Sequence, residues 1–470
     1  MSQPTNPEEG YPRLDGHSLH LAGIRRRVRV LFCGQGLTSE LVRRSIWSVA
    51  LKLAAVFGTL IVSVLLARQL GSQGFGVYSF VLAIVSLLVV PAQLGMPSLV
   101  VRETAKAQVS ARWDVMRGLW RWATIVVLAW SLTLTVVASA AVFILAEQTN
   151  SVLTQPLVWG LAAVPFVALG GLRSAALRGL RHLAQAQLPD FILRPAFLGC
   201  LLLTFPPSST TAQLGAAEAM KLHLVASILA FVVGTILLVR ARPDELRTEP
   251  LVRTDAAAWV ASAVPLAWVG GAHIIVQNVG AIVLGTLSSV EQVAMFRVAM
   301  QGAMLVGFGS MAAKLATAPY LARLHAQGAT EDLQHVVKLH ASMALITAVP
   351  IAVVFILAGP SLLGFSFGPQ FRDAYWPLIV LAIGQLIGSF GASVPTLLSM
   401  TGRDRDVAFS MTVSVIVSSV FAAVLVPVYG ALGAAIGVTM SMFIAQYLLW
   451  RRMRRHLGLP TFPFRIALRW

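Results

Sequence analysis

From Ile46 onward, apolar runs of about twenty residues alternate with short polar breaks. The first two set the pattern. Ile46 to Ala67 rises about 30 Å as a helix at roughly 1.5 Å per residue, the thickness of a bilayer core, and Val77 to Leu94 returns the same distance. Between them, Leu70-Gly71-Ser72-Gln73-Gly74-Phe75-Gly76 carries three glycines suited to a tight turn, and Phe75 and Tyr78 suit the lipid headgroup layer. Ten further spans are predicted, at about 122–146, 156–177, 187–205, 215–239, 258–286, 293–318, 338–358, 374–400, 407–427 and 430–450. The fold class is therefore all-α, a polytopic membrane protein of about twelve transmembrane helices.

Composition agrees. The 470 residues are 57% hydrophobic and 12% charged, with mean hydropathy +0.77, values a water-soluble domain of this size does not tolerate on its surface. The net charge of +17 would suggest nucleic acid in a soluble protein. Here the basic residues fall in alternate loops: Arg43-Arg44, Arg102 to Arg121, Arg178 and Arg181, Arg240 to Arg253, Arg323 and Lys338, Arg403 and Arg405, Arg451 to Arg455. That distribution sets orientation and meets anionic membrane lipid, so these loops and both termini are predicted cytoplasmic, and no nucleic-acid partner is expected. The opposite loops, around Gly74, Gln148, Ser208, Ser289, Pro369 and Tyr429, are short and carry little basic charge.

The division that follows is a basic cytoplasmic tail (1–45), a first six-helix bundle (46–240), a cytoplasmic linker (241–257), a second six-helix bundle (258–450) and a basic tail (451–470). The first tail contains Arg25-Arg26-Arg27-Val28-Arg29, and its apolar stretch Val30 to Leu37 is too short for a secretory signal. Cys33 and Cys200 lie in unlike settings, which argues against a disulfide framework or metal site, and no cofactor is predicted. A shift of 218 positions lays Phe75 to Tyr78 over Val293 to Phe296, and Leu214 to Ala217 over Leu432 to Ala435. Such an offset makes six spans repeat as six in parallel, two bundles around a central lumen that opens to either side, and points to transport.

These same residues carry a family resemblance. Leu65 to Gly71 with Gly74 to Ser79, then Gln93 to Pro97 and Val101-Arg102-Glu103, resemble the first hairpin of bacterial polysaccharide-biosynthesis flippases. Leu398 to Arg405 and Pro427 to Ala435 are similar to that family's later segments. The resemblance implies the superfamily that also holds multidrug exporters. It implies a substrate of undecaprenyl-diphosphate-linked oligosaccharide turned from the cytoplasmic to the periplasmic leaflet of the bacterial inner membrane, for surface polysaccharide such as lipopolysaccharide, with other glycan-assembly membrane proteins as further partners.

A sugar diphosphate does not cross hydrocarbon unaided, so polar residues within the spans are the candidate sites. Arg297, with Gln301 one turn on, either lines the lumen or snorkels to the headgroups, and family members carry cations facing the lumen from this helix. Arg194 follows Asp190 at the spacing of a helical ion pair, a clamp or a substrate contact, and Pro189 and Pro195 suggest irregular backbone there. Lys221 stands three residues after Glu218, as an interface ion pair or a lumenal patch. His273 lies near mid-span with Gln277 one turn on; it either couples movement to protons or is a hydrogen-bonded neutral ring. Lys52 and Lys314 snorkel or guide a diphosphate, and Gln93 and Gln385 complete the lumen candidates.

An enzyme is not expected, because no long acidic loop lies outside and Asp404-Arg405-Asp406 sits in a short turn with no nucleotide-binding domain. The rival reading is a cation-coupled multidrug exporter of the same superfamily. Exporters favour buried acids, whereas the intramembrane charges here lean basic.

Overall fold

A computed structural model describes residues 37–144, 151–204, 214–248, 256–327 and 330–457. The arginine cluster at 25–29, Cys33 and the end of the second tail lie outside them. The chain divides into two compact units, Met1–Ser48 and Val49–Trp470, and the second holds every candidate site. The elements are α1 (Leu37–Gln93), α2 (Met96–Val109), α3 (Trp113–Ile144), α4 (Ser151–Gly179), α5 (Leu183–Leu188), a π-turn at Pro189–Leu193, α6 (Arg194–Thr204), α7 (Ala216–Ala241), α8 (Glu245–Thr248), α9 (Ala256–Leu287), α10 (Val290–Ala326), α11 (Thr330–Ser366), a 3-10 turn at Pro369–Ala374, α12 (Tyr375–Phe390), α13 (Val394–Met400) and α14 (Asp404–Leu457).

Among the described residues ten helices are long and apolar enough to cross a membrane. Two of the ten are interrupted by a glycine. Gly71 (φ 68°, ψ −174°) and Gly430 (φ 52°, ψ −130°) leave the helical region at angles a side chain would resist. After Gly430 the chain doubles back, since Gly437 lies against Phe421 and Ala422. The architecture is therefore consistent with the twelve predicted spans. Helix starts at Trp113, Ser151 and Leu183 have counterparts at Thr330, Pro369 and Asp404, each within a few positions of the 218-residue offset. The Gly71 turn likewise has its counterpart in the gap between Leu287 and Val290.

Three departures from the predicted spans have local causes. The stretch after the first hairpin, expected as a basic loop, is the helix α2, with Pro97 in its first turn and Met96, Leu99, Val100, Thr104 and Ala107 buried at helical spacing. The span predicted at 187–205 contains the π-turn, placed between Pro189 and Pro195. The span predicted at 374–400 is broken between Phe390 and Val394, where Gly391 ends one helix and Pro395 sits in the first turn of the next.

Within the first half, α4 packs on α3, α7 and α2; within the second, α10 packs on α11 and α12, and α14 on α9 and α12. The halves also meet. On the face of the Gly71 and Gly430 turns, hereafter the hairpin face, Gly76 comes so close to the Val290 carbonyl that a Cβ there would collide with it, and Phe75 stacks edge-on against Phe371, centroids 6.1 Å apart. Arg68 Nε donates to the Ser366 carbonyl at 2.7 Å, and the same guanidinium reaches the Phe365 carbonyl. On the opposite, basic face, α2 packs against α9, and the Trp122 and Trp259 rings lie 5.3 Å apart. Small residues permit these approaches, as membrane helices require when lipid offers no hydrophobic drive to associate.

Candidate lumenal polar site

Two polar centres form inside the spans, one in each half. In the first, the π-turn widens the helix so that Asp190 faces both α4 and α6. Asp190 Oδ2 accepts from Arg173 Nη2 at 3.4 Å, and Asp190 Oδ1 pairs with Arg194 one turn on. Arg173, with a side chain only 4% exposed, is further held by the carbonyls of Phe231 at 2.8 Å and Ala230 at 3.3 Å. Its guanidinium lies against Gly234, where any larger residue would displace it. Tyr78 Oη and His223 Nδ1 share a 2.8 Å hydrogen bond nearby, and the charge of Arg194 reaches both residues.

In the second half, Arg297 Nη2 donates to Asn278 Oδ1 at 2.6 Å, and Asn278, itself buried, donates to the Ile274 carbonyl at 2.8 Å. Among the described residues no carboxylate lies in ion-pair distance of Arg297, so a neutral amide orients this cation without cancelling it. One turn further on, Gln301 Nε2 donates to Ser63 Oγ of α1 at 2.6 Å, while its buried Oε1 has no partner among the described residues. Toward the basic face, Lys314 acts electrostatically on Lys52, His273 and His340, which gathers positive or titratable groups from α1, α9, α10 and α11. Gln277 Nε2 donates to His273 Nε2 at 2.9 Å. Thr317 gives its hydroxyl hydrogen to the Ala313 carbonyl, so the 2.8 Å contact with His340 is donated by the imidazole Nδ1–H.

The remaining candidates lie apart from these centres. Lys221 sits over the Trp159 ring, 5.3 Å from its centroid, and does not pair with Glu218, whose carboxylate accepts from the Gly215 N–H at the start of α7 at 3.2 Å. Gln385 rests its amide on Gly307, bridging α12 and α10. Gln93 donates to the Ala168 carbonyl at 3.3 Å and packs on Gly171, a contact between neighbouring helices. Sequence reasoning missed Arg173. Its signal was a lone arginine in the apolar stretch Val164 to Leu177, and its partner Asp190 is visible only once α4 and the π-turn are brought together.

What this arrangement supplies is surplus positive charge within the spans. Asp190 is already shared by two arginines, and among the described residues Lys52, Lys314 and Arg297 have no carboxylate partner. Unpaired intramembrane cations are costly and face cavities or ligands rather than lipid.

No curated protein matches the chain. The fold is similar to the lipid II flippase MurJ in an inward closed conformation, with TM-score 0.70 and 13% identity over 89% of each chain. It is similar to a multidrug resistance MATE family transporter of the MOP superfamily in its inward-facing conformation, with TM-score 0.69 and 15% identity over 87% of this chain and 96% of that one. An outward-facing MATE structure aligns with TM-score 0.58 and 16% identity over 92% of this chain and 99% of that one. The family described as "Polysaccharide biosynthesis protein" matches residues 41–325. With that match covering more than half its length, the chain belongs to the polysaccharide biosynthesis protein family and carries the polytopic fold of flippases and multidrug transporters.

Proposed function

We propose that the chain turns an undecaprenyl-diphosphate-linked oligosaccharide from the cytoplasmic to the periplasmic leaflet of the bacterial inner membrane by alternating access, with the basic face cytoplasmic and the two six-helix bundles (46–240 and 258–450) moving about the lumen. The observation that carries this reading is the surplus of positive charge at Lys52, Lys314 and Arg297 inside the spans. A diphosphate neutralises such a surplus and a cationic drug adds to it, because opposite charges attract strongly where water is scarce. Arg297 and Gln301 act as the diphosphate and sugar contacts of the second half, Lys52 and Lys314 guide the anion from the basic face, and Arg194, held by Asp190, supplies the first half's cation. His273 is the group whose protonation couples movement to a proton gradient.

Deleting the gene tests the substrate class. Lipid-linked repeat units are expected to accumulate on the leaflet of the basic face while surface polysaccharide is lost, and an Arg297→Gln copy is expected to restore neither. Unchanged surface glycans together with new sensitivity to cationic dyes would instead support the exporter reading, to which the MATE-like fold also lends itself.

A further inference from the structure

A cavity of about 640 Å³ lies within the first half, between α3, α4 and α7, where α2 and α8 close its basic end. Its volume falls within the roughly 300–1,000 Å³ range of small-molecule sites. Four arginines line it: Arg117 and Arg121, one turn apart on α3, Arg173 from α4, and Arg242 just beyond α7. Arg173 is the decisive member. Its two terminal nitrogens are engaged by Asp190 and by α7 carbonyls, yet its buried Nε has no partner among the described residues.

The rest of the lining is mostly apolar, and the hydroxyls of Thr124 and Thr235 are bonded to carbonyls of their own helices. Leu169, Leu172 and Leu238 form its wall, and Trp120 is fixed in the lining by its Nε1–H donating to Thr104 Oγ1 at 2.9 Å. Along α3 toward the hairpin face, Ile125 and Leu128 are exposed on the surface. A guanidinium cluster matches a phosphate by forked hydrogen bonds, and the apolar wall running onto an exposed apolar helix face matches a hydrocarbon tail. Basic pockets between membrane helices at the positively charged face hold anionic lipid headgroups.

We propose that this cavity binds the phosphate of an anionic membrane lipid from the leaflet at the basic face, its chains lying along α3. Two sources share that chemistry, a resident phospholipid and an isoprenyl diphosphate. The test titrates the purified full chain, in non-ionic detergent, with dioleoylphosphatidylglycerol, dioleoylphosphatidylcholine, undecaprenyl diphosphate or inorganic phosphate, and counts retained adducts by native mass spectrometry. Phosphatidylglycerol is expected to be retained. The choline lipid and inorganic phosphate are not, since the first brings a cation to the arginines and the second lacks a tail.

Arg121→Gln with Arg242→Gln is expected to weaken retention by about tenfold or more, the loss of charge-assisted phosphate contacts. Thr235→Trp, which fills the cavity and keeps every arginine, is expected to do the same and carries the test alone if the double variant does not fold. Binding of phosphatidylglycerol identifies a resident lipid, and binding of undecaprenyl diphosphate alone identifies a station on a transport path; both outcomes support the site. Retention of phosphatidylcholine equal to that of phosphatidylglycerol, or retention undiminished in the folded variants, overturns it.

Discussion

Gln301 Nε2 and Ser63 Oγ are 2.6 Å apart although 238 positions separate them in sequence, and this hydrogen bond ties the first span of one half to the second span of the other. If the halves part along this seam during transport, holding them together stops the cycle. A Ser63→Cys, Gln301→Cys chain bridged by a short bis-methanethiosulfonate reagent, which forms a disulfide to each cysteine with loss of methanesulfinate, is expected to lose flipping in reconstituted vesicles and regain it on reduction, relative to the same chain left unbridged. Continued flipping by the bridged chain would show that movement does not pass through this seam.

Arg297 owes its orientation to Asn278, a neutral partner that leaves its charge available. Arg297→Gln is expected to lower the flipping rate by at least about tenfold, the scale of one lost charge-assisted hydrogen bond of about 1.5–3 kcal/mol. Arg297→Lys is expected to recover part of it. Asn278→Ala leaves the cation but frees its direction, so a smaller loss is expected, read as initial rate against substrate concentration.

Asp190 serves two arginines, so removing its charge strands both. Asp190→Asn is expected to destabilise the folded chain by about 3 kcal/mol, as for one partner taken from a buried ion pair. Arg194→Gln should cost less, because Arg173 keeps the carboxylate engaged, and the two changes together should cost less than their sum. Thermal unfolding of the three variants in detergent gives the comparison.

A methyl group at position 76 would meet the Val290 backbone carbonyl, which no rotamer change relieves. Gly76→Ala is expected to lower stability by about 1–3 kcal/mol as α1 and α10 are pushed apart. Gly58→Ala is the control, because nothing lies within 4 Å of the added Cβ there.

His273 is bonded to Gln277 on its own helix, so the ring can be replaced without stranding a partner on another. His273→Ala is expected to flip substrate at a rate indifferent to an imposed proton gradient, while the wild-type rate follows it. Equal dependence in both chains would place coupling elsewhere.

The membrane class and the glycine turn of the first hairpin were legible because they rest on local features, apolar run length and backbone permissiveness. The Asp190 and Arg194 pair was legible for the same reason, being four residues apart on one helical face. Arg173 was not, because its partner comes from 17 positions along the chain and across a helix contact. The α2 helix hid behind Arg102, Glu103 and Lys106, which break its apolar run, although the spacing of Met96, Leu99, Val100, Thr104 and Ala107 already described a buried stripe. Lys221 and Glu218 were at pairing distance in sequence, but the free N–H of Gly215 claims the carboxylate first, as helix starts do.

The position of α2 has one further consequence. It belongs by sequence to the first half, yet it rests on α9, the first helix of the second, as well as on α3 and α4. In the proposed alternating-access cycle, an opening on the basic face would peel α9 from α2, while an opening on the hairpin face would leave that contact in place. This short amphipathic helix is thus positioned as a fulcrum, and substitutions along its stripe would bias which side of the membrane the resting protein faces without touching the substrate.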